Sequence, residues 1–489
     1  MPREESTDLL VLGAGPGGYA AAFLAADLGR PVCLVDPAPD PGGVCAYRGC
    51  IPSKALLHLA RVLHESREAA AWGVTFGEPQ IDLARVRAWK NDIVGKLTSG
   101  LGTLRDRRQV ASVQGRGRFL DAHRLFVEET GGGERIVAFR QAIIATGSHP
   151  TTLPMVPADS PRVLDSTSAL ALEEIPQTLL VIGGGYIGLE LGSVYAALGS
   201  RVTIVEMTES LLPGVDPDLA RLVDRRLRSR VEAVHLGTRV VAVEERPTGL
   251  HVTFATGADT ASGETGAAAT TASELPAAMF DRVLVAVGRR PNSRGLGLAT
   301  TQVSIDNAGF IEVDAARRTA EPTLFAIGDV AGQPMLAHKA SHEGRTAVEA
   351  MHDPSVTFAP RAIPAVVFTD PEIAWCGLTE QEARAGEREV RVARFPWAAS
   401  GRAATLGRTD GVTKVIVEAA SEKILGIGIA GAGAGEMIAE GVLAMEMDAT
   451  VADLKMTIHP HPTLSETMME AAEVFFGQST HVHRPRRGR

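Results

Sequence analysis

One unit occurs twice in this chain and limits what it can fold into more than any other feature. An apolar run, LLVL at 9–12, leads into GAGPGG at 13–18, an Ala-rich helical stretch to Leu28, Gly29, and a second apolar run, VCLV at 32–35, that ends in Asp36. The order returns as LLVI at 179–182, GGGYIG at 183–188, a helical stretch to Leu198, Gly199, and VTIV at 202–205 ending in Glu206. First glycine and acid are equally far apart in both copies, 13 to 36 and 183 to 206. A glycine triplet alone is weak evidence. A buried strand before it, a helix after it and an acid closing the next strand make each copy a dinucleotide fingerprint. The glycines (13, 15, 18 and 183, 185, 188) let the backbone approach a pyrophosphate, the helix N-terminus holds its charge, and Asp36 or Glu206 accepts from ribose hydroxyls. The chain is expected to bind two dinucleotides. The alternative, glycines that only allow close helix–strand packing, is disfavoured because the whole pattern occurs twice.

Each copy has a later strand that ends in glycine, AIIATG at 142–147 and VLVAVG at 283–288, returning the chain to the nucleotide edge. From about residue 350 alternating runs at 412–417 and 424–429 precede a helical pattern near 436–447, which reads as a third unit of α+β character. The 489 residues suit about three domains. The expected class is α/β: two Rossmann-like dinucleotide-binding domains and a C-terminal α+β domain. Between strands, 256–273 is Thr/Ala/Gly-rich and predicts a surface hairpin loop.

Composition excludes several functions. A net charge of −9 argues against a nucleic-acid partner, and the basic terminus RPRRGR at 484–489, without aromatics, reads as a solvated tail. The uncharged run 9–26 is long enough to raise a membrane span, but residues 13–18 within it hold four glycines and a proline, so a turn is predicted and no span. Four cysteines cannot form a secreted disulfide framework, and the N-terminus lacks a signal-peptide pattern, so a reducing, cytoplasmic setting is expected.

Cys45 and Cys50 sit in GGVCAYRGCIPSK at 42–54, ahead of an apolar helical pattern at 55–63. In a regular helix an i, i+5 pair is about 7.5 Å apart in rise and on different faces, beyond disulfide reach. The segment must therefore be distorted, which Gly49 permits. A reversible redox pair is the stronger reading; a zinc site is weaker, since neither a second pair nor a nearby His completes four ligands, and no metal is expected. Cys33 and Cys376 lack sequence partners and read as buried structural thiols.

These residues resemble the flavoprotein pyridine nucleotide–disulfide oxidoreductases, in particular their dihydrolipoyl-oxidising members. Besides the cysteine motif, the resemblance rests on ATGS at 145–148, AIGDV at 326–330, MLAHK at 335–339, FTDPE at 368–372 and HPTLSE at 461–466, and it covers nearly the whole chain. It implies FAD at the first fingerprint, with Gly117, Thr146, Gly147, Ser148, Asp329 and Ala337 as further contacts. NAD is implied at the second, with Gly288. The Glu206 carboxylate would repel a 2′-phosphate, so NAD is expected over NADP. Lys54 and Glu190 match an ion pair beside the flavin. His461 and Glu466 match an acid/base pair that reaches across a homodimer to the partner's cysteines; the neighbouring His459 is expected to be an ordinary loop residue.

The implied activity is oxidation of protein-bound dihydrolipoyl groups with NAD, through Cys45, Cys50 and FAD, in a homodimer served by a lipoylated carrier protein. The implied division is an FAD-binding domain 1–150, an NAD-binding domain 151–281, a region 282–349 completing the FAD site, an interface domain 350–475 and a tail 476–489. The sequence departs from the family where Ala46, Tyr47 and Arg48 stand between the cysteines, which leaves the carrier partner open. Two rivals remain. A member reducing glutathione, a metal ion or another disulfide with NADPH is opposed by Glu206 and by the lack of a C-terminal cysteine pair. A flavin-bearing scaffold without turnover is opposed by the retained Cys45, Cys50, His461 and Glu466.

Overall fold

The computed structural model describes residues 2–256 and 275–483. The loop expected at 256–273 and the basic terminus 484–489 fall, apart from Thr256, outside the described residues.

The first unit is built on strand Arg3–Leu12, which lies parallel between Val32–Asp36 and Glu134–Ile144. Ala111–Asp121 and Arg124–Glu129 close a meander onto Glu134–Ile144, and Leu324–Ala326 adds parallel on its far side. Successive residues of this strand enter opposite cores: Leu10 and Leu12 pack with Cys33 and Val35, while Leu9 and Val11 pack with Val32 and Leu34. A sheet buried on both faces requires such a continuous apolar run, as side chains alternate along a strand. The second unit repeats this with Thr178–Ile182 parallel to Arg201–Val205 and Arg282–Val285, and with its side chains again divided between two cores. Both nucleotide-loop helices, Pro16–Asp27 and Tyr186–Leu198, begin directly after a glycine N-cap, Gly15 and Gly185.

The third unit is an antiparallel sheet, Ala365–Val367, Glu372–Gly377, Ile424–Gly431, Val412–Glu418 and Val390–Pro396 in that order. Helices Ala434–Glu446, Val451–Met456 and Glu466–Phe476 accompany it. The architecture is the expected α/β class with a C-terminal α+β unit. Among the described residues no helix is long and apolar enough to cross a membrane.

Candidate active site

The cysteine segment is two helices, Gly43–Arg48 and Cys50–Glu68, broken at Gly49. A Cβ at Gly49 would stand 2.9 Å from the Val44 carbonyl oxygen, so the break depends on the missing side chain. It brings the thiols together: Cys45 is half-buried, Cys50 opens onto a cavity, and each thiol acts directly on the titration of the other. Donation from Cys45 holds the Cys50 thiol below its ordinary pKa against the opposing effect of burial, with Lys54 assisting. The same bond, together with burial, pushes Cys45 up. The pair is thus polarised, with Cys50 the thiolate.

The cysteine helices are fastened to the first fingerprint. Gly42 N–H donates to the Ala14 carbonyl at 2.8 Å, and a Cβ on Gly43 (φ +57°) would meet the Gly15 Cα at 2.5 Å. One turn beyond Cys50, Lys54 Nζ lies 2.9 Å from Glu190 Oε2. Glu190 is 3% exposed and belongs to the helix of the second fingerprint. Ser53 Oγ donates to its Oε2 at 3.0 Å and Phe368 N–H to its Oε1 at 3.0 Å. A carboxylate buried to this degree is sustained by such partners.

A cavity of about 770 Å³ runs from the first fingerprint to the cysteines. Of the expected contacts, Gly13, Gly15, Asp36, Gly117, Thr146, Gly147, Ser148, Asp329 and Ala337 line it, with Cys45, Cys50, Lys54 and Glu190. Gly18 stands behind its wall, where a Cβ would fall on the Gly13 carbonyl oxygen. The residues present fit FAD. The cavity is long enough to reach from Asp36 to the thiols, and a Cβ at Gly15 would meet nothing within 4 Å, which leaves room for a pyrophosphate at the helix start. Ser148 Oγ donates to Asp329 Oδ2 at 2.5 Å and receives Arg289 Nε at 2.7 Å, fixing both side chains at the wall.

The glycines and acid of the second fingerprint do not line this cavity: Gly183, Gly185, Gly188, Glu206 and Gly288 are absent from its lining, although Tyr186 and Ile187 reach it. Its form matches the first. A Cβ at Gly188 would strike the Gly183 carbonyl oxygen, one at Gly185 would meet nothing within 4 Å, and Gly288 (φ +120°), just past strand Arg282–Val285, has a conformation suited to glycine.

His461 also stands apart from the cysteines of its own chain. Its side chain is 77% exposed and does not line the cavity, while its Nδ1 lies 2.9 Å from Glu466 Oε1. Thr463 N–H donates to Glu466 Oε2 at 2.7 Å. Burial raises the Glu466 carboxyl, but these two partners outweigh it and keep it below its ordinary pKa. His459 lies in a loop as expected, but its side chain is not idle there. Its side chain is 4% exposed and its Nε2 meets Glu440 Oε1 at 2.7 Å, so it ties the loop to helix Ala434–Glu446.

Sequence reasoning missed Ser53, Tyr186, Arg289 and the main chain of Phe368. Tyr186 lies one turn before Glu190 and lines the cavity, and burial pushes its phenol up to about 12. Its place in GGGYIG was a usable signal; Phe368 N–H, a main-chain donor distant in the chain, left none.

Residues 7–344 match the family described as pyridine nucleotide-disulphide oxidoreductase, and residues 363–472 match the dimerisation domain of that family. The chain is 44% identical over 481 residues to a dihydrolipoyl dehydrogenase of Vibrio parahaemolyticus, covering 98% of each. It is 42% identical over 477 residues to that of Bacillus subtilis, covering 97% of this chain and 98% of the other. Among solved structures, LpdA from Mycobacterium tuberculosis superposes with a TM-score of 0.85 at 26% identity, covering 96% of this chain and 99% of that one. The HOCl-induced flavoprotein disulfide reductase RclA from Escherichia coli gives 0.81 at 26%, with the same coverage. With two nucleotide folds, a polarised cysteine pair at a flavin-sized cavity and these matches over nearly its full length, the chain belongs to the pyridine nucleotide-disulphide oxidoreductase family, flavoproteins that use FAD and a nicotinamide nucleotide.

Proposed function

We propose that this protein oxidises protein-bound dihydrolipoyl groups to lipoyl with NAD, as a cytoplasmic homodimer. The observation that carries the reading is a separation of parts. The thiols of Cys45 and Cys50 meet at the cavity beside Lys54 and Glu190, while His461, oriented by Glu466, stands exposed away from it. A second copy of the chain would complete the site, and the dimerisation-domain match supports that arrangement. Regions 1–150 and 282–349 then hold FAD, 151–281 holds NAD, 350–475 makes the subunit contact and 476–489 is a tail.

FAD would be held by Gly13, Gly15, Gly18 and Asp36 with Gly117, Thr146, Gly147, Ser148, Asp329 and Ala337, and when bound it supplies the two-electron link between dithiol and nicotinamide. NAD would be held by Gly183, Gly185, Gly188, Glu206 and Gly288, with Glu206 repelling a 2′-phosphate. A substrate thiolate attacks Cys45 Sγ in the disulfide form, the Cys45–Cys50 bond breaks, and Cys50 leaves as a thiolate favoured by the Lys54 ammonium. The partner subunit's His461 takes the proton of the second substrate thiol. That sulfur then attacks the first, freeing Cys45 and releasing the lipoyl disulfide. The lipoylated carrier is recognised by its dithiol; the relatives at 42–44% identity that are named dihydrolipoyl dehydrogenase support this substrate class.

The test is His461→Ala. It should lose dihydrolipoamide oxidation on the order of 10²–10⁴-fold, as for a lost proton-transfer group, yet still pass electrons from NADH to an artificial acceptor. Mixing inactive Cys45→Ser and His461→Ala subunits should restore activity, because one site of the heterodimer is intact. Full dithiol turnover in His461→Ala would refute the acid/base role, and verified heterodimers without activity would refute the shared site.

A further inference from the structure

The third hydrogen bond to Glu190 comes from the C-terminal unit. Phe368 N–H donates to Oε1 at 3.0 Å, and the Phe368 ring lies 4.5 Å from Lys54 Nζ. Both members of the ion pair beside Cys50 therefore lean on one residue of another unit. Thr369, which follows, is buried, and its hydroxyl donates to the Pro371 carbonyl at 2.8 Å, so the segment is folded back on itself with little slack. Asp370 then enters an ionic joint. Arg230 Nη2 lies 2.7 Å from Asp370 Oδ2, Arg408 pairs with Oδ1, and Arg226 stands 3.9 Å away. Arg226 and Arg230 also pair with Glu68, the last residue of the helix that Cys50 begins. One end of that helix is thus tied to Asp370 through arginines and the other to Phe368 through Lys54 and Glu190.

We infer that Asp370 is a positioning residue of the redox centre: its joint with Arg230 and Arg408 holds the Phe368 main chain against Glu190, and so holds the Lys54–Glu190 pair against Cys50. Arg408 is 8% exposed, its Nε has no hydrogen-bond partner and Asp410 Oδ1 stands 3.8 Å from it, so removing the charge of Asp370 leaves a buried cation with only this longer ionic contact. The segment 368–371 then has no fixed anchor. If Phe368 N–H retreats, Glu190 keeps only Ser53 and Lys54 as donors, and its negative charge is less offset. The charged groups that shift Cys50 are Cys45, Lys54 and Glu190, and the phenols of Tyr19 and Tyr186, both raised, face it as well. A stronger field from Glu190 disfavours the Cys50 thiolate, so its titration moves upward.

The inference rests on the reading of Cys50 as the redox thiol, and the experiment separates the two. In the full-length holoenzyme carrying Cys45→Ser, the serine keeps a hydroxyl donor toward Cys50. Cys33 and Cys376, both pushed up to about 12 by burial, stay silent over the neutral range. Ultraviolet thiolate absorbance against pH then reports Cys50. Adding Asp370→Asn should raise its midpoint by about half a pH unit, on the order of a threefold loss of thiolate below the midpoint. Arg408→Gln should move it the same way by less, and serves if Asp370→Asn does not accumulate. Arg394→Gln cuts a separate ionic contact, to Asp218, between the same two units without touching 368–371, and should leave the midpoint in place. An unmoved midpoint in both Asp370→Asn and Arg408→Gln, or an equal shift in Arg394→Gln, overturns the inference. Failure of the redox reading would show elsewhere, as undiminished dithiol turnover in Cys45→Ser alone.

Discussion

At the first fingerprint, Asp36 stands at the wall of the large cavity, its Oδ2 accepting from Ala14 N–H at 2.7 Å and its Oδ1 from Ala38 N–H at 2.8 Å. At the second, Glu206 is 7% exposed and away from that cavity; it accepts from Gly184 N–H at 2.6 Å, Thr208 N–H at 2.8 Å and the Thr208 hydroxyl at 2.9 Å. In both copies the acid binds the peptide N–H just after the first glycine. It closes the nucleotide loop onto the next strand before any ribose is considered, so the acid of such a fingerprint has a structural task as well as a ligand. The copies differ in setting. Asp36 has a face on a cavity already open, while the longer Glu206 is enclosed by its own loop and carries one more donor.

The glycines behind the loops test whether the copies are equivalent where their geometry says they are. Gly18→Ala and Gly188→Ala each drive a Cβ onto a main-chain oxygen of the same loop, and each should destabilise the protein by about 1–3 kcal/mol in denaturant unfolding. Tolerance of one but not the other would break the comparison. Next in size is Glu206→Gln, which turns an amide NH₂ toward one of three donors. A cost of about 1–2 kcal/mol is expected, and the kcat/KM preference for NAD over NADP should fall on the order of tenfold. A wild-type preference for NADP would sink the assignment of Glu206.

Asp36→Asn should cost less, about 1 kcal/mol, because its carboxylate is only partly buried and has two donors to lose rather than three. It should show mainly as faster FAD release, with the KM for NAD unchanged. The smallest effect on the fold belongs to Gly15→Ala and Gly185→Ala. A Cβ at either meets nothing within 4 Å, so stability should stay within about 0.5 kcal/mol of wild type. Each should weaken only its own nucleotide, FAD retention for Gly15→Ala and NADH saturation for Gly185→Ala. A swap of these phenotypes would reverse the assignment of the two fingerprints.

Much of the candidate site was legible because its parts are local. The strand–glycine–helix order, the cysteine spacing and the place of Gly49 lie within short stretches, where period and turn chemistry act directly. What was not legible joins residues far apart in the chain. His459 reads as an ordinary loop residue beside Pro460, yet packing sets it against Glu440. Glu190 was readable as an ion-pair partner, but not its bond to a main-chain N–H at position 368, because a peptide group leaves no mark in composition or pattern.

The sequence by itself determined the two nucleotide folds and the broken helix that pairs Cys45 with Cys50, since each follows from short-range periodicity and the conformational freedom of a few glycines, and its resemblance to the flavoprotein family implied the class of chemistry. Only the tertiary structure decided that Glu206 is shut within its own loop, that His461 is exposed and does not line the cavity that holds the cysteines of its own chain, and that Asp370 and Phe368 brace the Lys54–Glu190 pair. These are outcomes of packing between units. A buried charge takes whatever donors the neighbouring unit presents, and the chain order of the two units does not encode which atoms will meet.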